Sequence, residues 1–183
     1  VATPSQAKLL AGEILEGEFA LLHFSNKHLN LIRRLEQSIL HPKGEVILLK
    51  GNSGCGITTL LRSLHLRNPE TTQMLKGDIY LGYWDFIDHI CDAFNIRRGD
   101  YRKSVLPANL LRVLSLTKRK VLLIDDLDIY IANQVELDQV FSTIGTLSTK
   151  VPEFTFVIST RNKQLLNRFI KFSKLNWWSH DIR

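Results

Sequence analysis

From position 46 onward, short unbroken apolar runs alternate with stretches in which apolar side chains recur every three or four residues. The first pattern suits strands buried on both faces, and the second suits amphipathic helices. Residues 46–50 read as a strand, 51–56 as a glycine-rich loop and 58–66 as a helix. A short strand is expected at 78–81, then a helix over 84–94 with Phe86, Ile87, Ile90 and Phe94 on one face. Pro107 opens another helix that runs to Leu116, since proline is tolerated where the first helical N–H has no partner. Beyond it come a strand at 121–125, a helix over 135–147, a strand at 154–159, a short helix at 164–169 and a last strand at 170–175. Upstream, Ser25 is placed to cap a helix carrying Leu29, Ile32, Leu35 and Ile39 on one face, and His41, Pro42, Lys43 and Gly44 end it. Strand and helix in alternation predict an α/β fold with a largely parallel sheet, because parallel neighbours need long crossovers and helices supply them. Residues 1–24 are weakly periodic and read as an N-terminal arm ahead of one domain spanning 25–183.

Composition narrows the class. A chain of 183 residues, 44% hydrophobic and 23% charged, has the make-up of a soluble globular domain large enough to bury a core. The apolar runs at 46–49 and 121–124 fall far short of the roughly 20 residues that a membrane span requires, and no basic-then-apolar leader opens the chain. Two cysteines, Cys55 and Cys91, are too few for a disulfide framework and lack metal-ligand spacing. The expectation is a cytoplasmic protein with no membrane partner. A formal charge of +6 favours a polyanionic partner. Basic residues cluster at Arg97, Arg98, Arg102 and Lys103, and again at Lys118, Arg119 and Lys120; phosphate contacts or a solvated charged face account for either cluster.

Two motifs carry chemistry. Gly51, Asn52, Ser53, Gly54, Cys55, Gly56, Ile57 and Thr58, followed by Thr59, match the spacing G-x-x-x-x-G-K-[ST] everywhere except the lysine, which is Ile57. Glycines let such a loop wrap a phosphate with backbone N–H groups, and the helix that follows adds the positive end of its dipole. Thr58 is the candidate ligand for Mg²⁺ and the loop the candidate site for ATP, although a glycine-rich turn that merely joins strand to helix has the same spacing. Cys55 sits at the start of that helix, where a thiol is activated or serves as a small filler. The second motif is four apolar residues ending in Asp125 and Asp126. At the carboxyl end of a parallel strand, Asp125 faces the glycine-rich loop as the second candidate metal ligand, and Asp126 takes the position of a general base, one methylene shorter than a glutamate. With the lysine gone and the base shortened, hydrolysis is expected to be weak or absent. A third feature, Ser159 and Thr160, puts hydroxyls at the end of another strand; Asn162 and a simple helix cap are the alternatives.

With these motifs in place, the chain resembles the TniB/TnsC regulators of DNA transposition, AAA+ P-loop ATPases related in role to MuB. The likeness rests on 34–50, where a helix ends at a proline shortly before the first strand, and on Gln164, Leu165, Leu166, Asn167, Arg168 and Phe169 followed by Leu175 and Trp177. It extends over about 25–181 and implies a P-loop NTPase core with a parallel five-stranded sheet of order 5-1-4-3-2 and flanking helices. It implies Ser159 or Thr160 as the sensor 1 residue. It also implies Arg168 as an arginine reaching the γ-phosphate of a neighbouring subunit in a ring or filament of identical chains; a surface arginine paired with a carboxylate is the other reading. The partners implied are duplex DNA, touched by Arg97, Arg98, Arg102 and Lys103, a transposase, and a target-selection adaptor. A helical lid normally follows the last strand, and this sequence is expected to lack it. Trp84 is either a channel-loop aromatic or core. Trp177 and Trp178 cannot both face inward from a regular strand, so one of them is expected to meet a lid or a partner.

Overall fold

The computed structural model describes residues 26–52, 54–75, 83–96, 106–162, 165 and 176–182, with the side chains of 26, 27 and 83–85 excepted. Five parallel strands form its frame: β1 (Val46–Gly51), β2 (Thr72–Leu75), β3 (Val121–Ile124), β4 (Thr155–Thr160) and β5 (Trp177–Ile182). They lie in the order β2-β3-β4-β1-β5, which is 5-1-4-3-2 read from the other edge. Every residue of β3 and β4 is buried, which explains why these central strands read as unbroken apolar runs.

Alternate side chains of each strand go to opposite faces, and two cores result. On one face, Ile47, Leu49, Val121, Leu123 and Val157 meet α1 (Asn26–Leu40) through Leu31, Ile32, Leu35 and Ile39, and α2 (Ile57–Arg67) through Leu60, Leu61 and Leu64. On the other, Leu48, Leu122, Ile124, Phe156 and Ile158 are covered by α3 (Tyr83–Ala93), α4 (Ala108–Leu116) and α5 (Gln134–Lys150). Full burial of such an aliphatic side chain contributes about 1.5–3 kcal/mol. Helix α5 starts where expected for a capped helix: Asn133 Oδ1 accepts the Glu136 N–H at 3.0 Å, and Glu136 Oε2 accepts the Ala132 N–H at 2.7 Å. In α1 the buried face includes Leu31, while Leu29, expected inside, is 39% exposed.

Both edge strands depart from the sequence expectation. The second strand is Thr72–Leu75, paired with β3 from Thr72 opposite Val121 to Leu75 opposite Ile124; the segment 78–81 lies outside the described residues. Thr-Gln-Met-Leu carries little strand signal of its own, and pairing to a buried neighbour decides its conformation. The last strand is Trp177–Ile182, and 170–175 lies outside the described residues. Trp177 packs on one core and Trp178 on the other. The Arg34 guanidinium lies 3.8 Å from the Trp178 ring centroid and the Trp178 indole N–H donates to Glu45 Oε2 at 2.8 Å, so Trp178 finds its partners within the domain. Among the described residues, no helix is long and apolar enough to cross a membrane.

Strand β5 also holds His180, whose ring meets His28 edge-on at 5.9 Å between centroids. Burial lowers the His180 pKa, His28 and Arg34 add to the shift, and Asp181 opposes it. A lowered folded pKa means that the fold favours the neutral ring; the contribution is complete above the ordinary histidine pKa of about 6.5 and is lost as pH falls through and below that value. Urea denaturation should therefore show a larger loss of stability between about pH 7 and about pH 5 in the wild type than in His180→Gln. Equal losses in the two proteins would contradict this assignment.

Candidate functional site

At its carboxyl end β1 runs into the glycine-rich loop, which turns directly into α2. Gly56 occupies the cap position of α2 at φ 86°, ψ 7°, a left-handed conformation that favours glycine, and no side chain caps the helix. The first N–H groups of α2 are thus without a side-chain cap at the loop. Gly51 is needed for a different reason: a Cβ there would lie 2.4 Å from Cys55 Sγ and 2.7 Å from Ile57 Cδ1. The loop folds back tightly over the strand end, and Cys55 is a half-buried filler beneath it.

The loop forms one wall of a cavity of about 260 Å³. Its lining comprises Gly51, Asn52, Gly54, Cys55, Gly56, Ile57, Thr58 and Thr59 on one side, and Asp125, Asp126, Ser159, Thr160 and Arg161 on the other. Three parallel strands deliver these groups because their ends are aligned: Lys50 is opposite Thr160, and Ile124 is opposite Ile158. Asp125 Oδ1 accepts from Thr58 Oγ1 at 3.2 Å and from Ser159 Oγ at 2.9 Å. Ser159 Oγ in turn accepts the Asp126 N–H at 2.6 Å. Of the two hydroxyls expected at this edge, Ser159 bonds the Asp125 carboxylate and the Asp126 backbone, whereas Thr160 Oγ1 donates to Asp128 with both oxygens at 3.0 Å. Asn162 reaches Thr160 Oγ1 through its N–H at 3.1 Å.

Asp126 has φ 56° and ψ 67°, a left-handed conformation that costs an aspartate about 1–3 kcal/mol. This turn aims its carboxylate at Arg161, whose Nη2 donates to Asp126 Oδ2 at 2.7 Å. Asp126 Oδ1 is buried and finds no hydrogen-bond donor. Burial raises the Asp126 pKa, Arg161 pulls it back, and the neighbouring Asp128 and Asp125 add to the rise.

Among the described residues of β1 and the loop, no side chain stands in for the lysine that such loops usually carry. Ile57 is 7% exposed and belongs to the core under α2. Lys50 lies 3.4 Å from Asp181 Oδ2 on the adjoining strand. Among the described residues lining the cavity, Arg161 is the cation. Neither Arg161 nor Asp128 stood out in the sequence as a site residue; Asp128 lies in a 3₁₀ turn (Leu127–Tyr130) and fixes the backbone of Arg161 by accepting its N–H at 2.8 Å. A basic or acidic residue near a strand end is too common to signal either role.

The donor set suits Mg²⁺ in part. Thr58 and Asp125 offer neighbouring hard oxygens, and Mg²⁺ usually takes one or two protein oxygens and completes its shell with phosphate and water. No group of three or more His, Cys, Asp or Glu side chains able to hold a metal occurs among the described residues. Ser53, Arg97, Arg98, Arg102, Lys103 and Arg168 lie outside the described residues, as does the Trp84 side chain. Of the second basic cluster, Arg119 donates to Gln73 at 2.7 Å, and Lys120 closes the end of α4 by donating to Ser115 O at 2.7 Å and Leu114 O at 3.1 Å.

No protein-family model matches the sequence, and no curated protein matches it. Solved structures do match its fold. Cdc6p from Pyrobaculum aerophilum aligns with 86% of this chain and 45% of its own at 19% identity, with a TM-score of 0.63. The DnaC helicase loader aligns with 86% of this chain and 89% of its own at 16% identity and a TM-score of 0.52. AMPPCP-bound DnaA from Aquifex aeolicus aligns with 87% of this chain and 47% of its own at 14% identity and a TM-score of 0.50. The chain thus spans about half the length of the Cdc6p and DnaA chains. Sheet order, the strand-loop-helix unit and these likenesses define the fold as the P-loop NTPase core of the AAA+ type.

Ser159 is 5% exposed and joins β4 to the Asp125 carboxylate and the Asp126 backbone N–H just after β3. Ser159→Ala leaves the Asp126 N–H without its acceptor and should destabilise the domain by about 1–3 kcal/mol in a urea melt. A loss below about 0.5 kcal/mol, the range of ordinary surface substitutions, would show that the bond contributes little.

Proposed function

We propose that this chain is the nucleotide-binding core of a DNA-associated regulator that uses ATP chiefly as a bound switch. The observation that carries the reading is the convergence of the glycine-rich loop, Thr58, Asp125 and Ser159 around one cavity at the carboxyl edge of the sheet. In this reading, backbone N–H groups of the loop and the start of α2 hold the phosphates, and Thr58 and Asp125 hold Mg²⁺. Mg²⁺, when bound, neutralises phosphate charge. Ser159 orients Asp125 and fixes the turn of Asp126.

Weak hydrolysis follows from the same groups. Asp126 stands at the base position but is one methylene shorter than glutamate, and misplacement of a reacting group by about 1 Å lowers a rate on the order of 100-fold. Loss of one charge-assisted contact, the missing lysine, weakens binding by about 10- to 150-fold without abolishing it. A second reading, a protein-interaction module that keeps the fold without useful nucleotide binding, draws on the burial of Ile57 in the core.

The finer assignment is a transposition regulator of the TniB/TnsC type that assembles on duplex DNA as a homo-oligomer and engages a transposase and a target-selection adaptor. Its support is the sequence resemblance, the charge of +6 and the basic residues Arg97, Arg98, Arg102 and Lys103. Arg168 is proposed as the bridge to a neighbouring nucleotide. A P-loop NTPase of a helicase loader or of a defence system is the alternative.

Equilibrium titration with ATP tests the core reading. Thr58→Ala and Asp125→Asn should each weaken binding about tenfold when Mg²⁺ is present and have little effect when it is chelated. Binding that is undetectable at millimolar ATP in the wild-type chain would leave the interaction module as the better account.

Duplex DNA provides the second test. Affinity should fall with salt at a log-log slope near −0.9 per phosphate neutralised, and replacing Arg97 and Arg98 by alanine should make the slope shallower by about two units for every sequence alike. No duplex binding at low salt with ATP present would remove the DNA-associated role.

A further inference from the structure

We infer that Arg161 is the terminal-phosphate ligand of this site, a cation supplied from β4 in place of the loop lysine that the chain lacks. The inference rests on the nucleotide-binding reading above and assigns within it the group that distinguishes a triphosphate from a diphosphate. Four observations lead to it.

The first is the distribution of charge. The cavity contains two carboxylates, Asp125 and Asp126, and one described cation. A triphosphate placed there meets the repulsion of two carboxylates, and a cation of the protein adds to the neutralisation that one Mg²⁺ would supply. Ile57 cannot supply the charge, and Lys50 is held on Asp181 at the neighbouring edge.

The second is position. Strands β1 and β4 are adjacent and parallel, with Lys50 opposite Thr160, so the residue after Thr160 leaves its strand beside the start of the glycine-rich loop. A loop of this type cradles the inner phosphates with its backbone, and the task left for a side-chain cation is the outer end of the chain of phosphates. Arg161 lines the same cavity as the loop, with its guanidinium on Asp126.

Third, the residue is anchored at its backbone and loose at its tip. Asp128 accepts the Arg161 N–H at 2.8 Å and also the Thr160 hydroxyl, which fixes the root of the side chain. The Arg161 side chain itself is 62% exposed, and its ion pair to Asp126 is 2.7 Å long. An ion pair at such an exposed site contributes little, so a phosphate that offers several oxygens to the guanidinium fork can replace Asp126 as its partner.

Fourth, Asp126 is left by that exchange with its carboxylate open to the cavity. The guanidinium therefore couples two events: it contacts the outermost phosphate, and it withdraws from the residue at the base position. A diphosphate, too short to reach it, would leave the Arg161 to Asp126 pair closed.

Titration calorimetry with ATP and with ADP, both with Mg²⁺, tests the assignment on the wild type, Arg161→Ala, Arg161→Lys and Asp126→Asn. Arg161→Ala should weaken ATP about 10-fold or more and ADP less than about threefold, and Arg161→Lys should recover part of the ATP affinity. Asp126→Asn should tighten ATP more in the wild-type background than in the Arg161→Ala background, because only the former has a guanidinium to free. An ATP-to-ADP affinity ratio unchanged by Arg161→Ala overturns the inference and leaves nucleotide binding intact. A wild-type chain that binds neither nucleotide overturns both.

Discussion

Parallel pairing with aligned ends is the constraint on which everything else in the molecule depends. Strands β1, β3 and β4 are neighbours in register, so one edge of the sheet receives the glycine-rich loop, Asp125 with Asp126, and Ser159 together. The three segments are far apart in sequence, and the burial of Leu48, Leu122, Phe156 and their neighbours holds them side by side. A one-residue slip of any strand would turn its core face to the opposite side and move its terminal polar group out of the cavity together. Stability of the sheet and geometry of the site are therefore the same problem in this protein.

Polar groups at that edge form a chain in which each member fixes the next. Thr58 and Ser159 donate to Asp125, Ser159 holds the Asp126 turn, and Asp128 ties Thr160 and Arg161 to the 3₁₀ turn after β3. The left-handed Asp126 costs free energy, and its buried Oδ1 lacks a donor. Strain and an unsatisfied carboxylate oxygen thus coincide at the concave edge of the sheet, and neither adds to the stability of the fold. Ile57, at the position where such loops usually carry a lysine, is buried in the core under α2, and the Arg161 guanidinium pairs with Asp126.

The edges of the sheet show how local pattern yields to context. Strand β2 has Thr72 and Gln73 where an amphipathic pattern would want apolar residues, and it becomes a strand because β3 presents an unpaired ladder beside it. Strand β5 carries Trp177 and Trp178 in succession, which from sequence looks like a mismatch. Each core accepts one ring, and Arg34 and Glu45 complete the outer one. Leu29 and Leu31 exchange their expected places for a related reason: a helix face only two or three residues wide at α1 is set by the sheet it packs on, and the helical period alone does not select between neighbouring leucines.

The five-strand order was implied only by the family resemblance, whereas the sequence by itself determined the α/β class, the central strands β1, β3 and β4, and the loop, Thr58, Asp125, Asp126 and Ser159 as candidates for one site. These were legible because buried central strands must be continuously apolar and because the chemistry of a phosphate loop demands fixed residues at short spacing. Only the tertiary structure decided that Ser159 contacts Asp125 whereas Thr160 contacts Asp128, that Ile57 is core, that Lys50 faces Asp181, and that Arg161 is the cation among the described residues of the cavity. Each of these turns on which way a side chain leaves its backbone relative to a strand distant in sequence. Such a direction is set by packing between segments, and no local pattern encodes it.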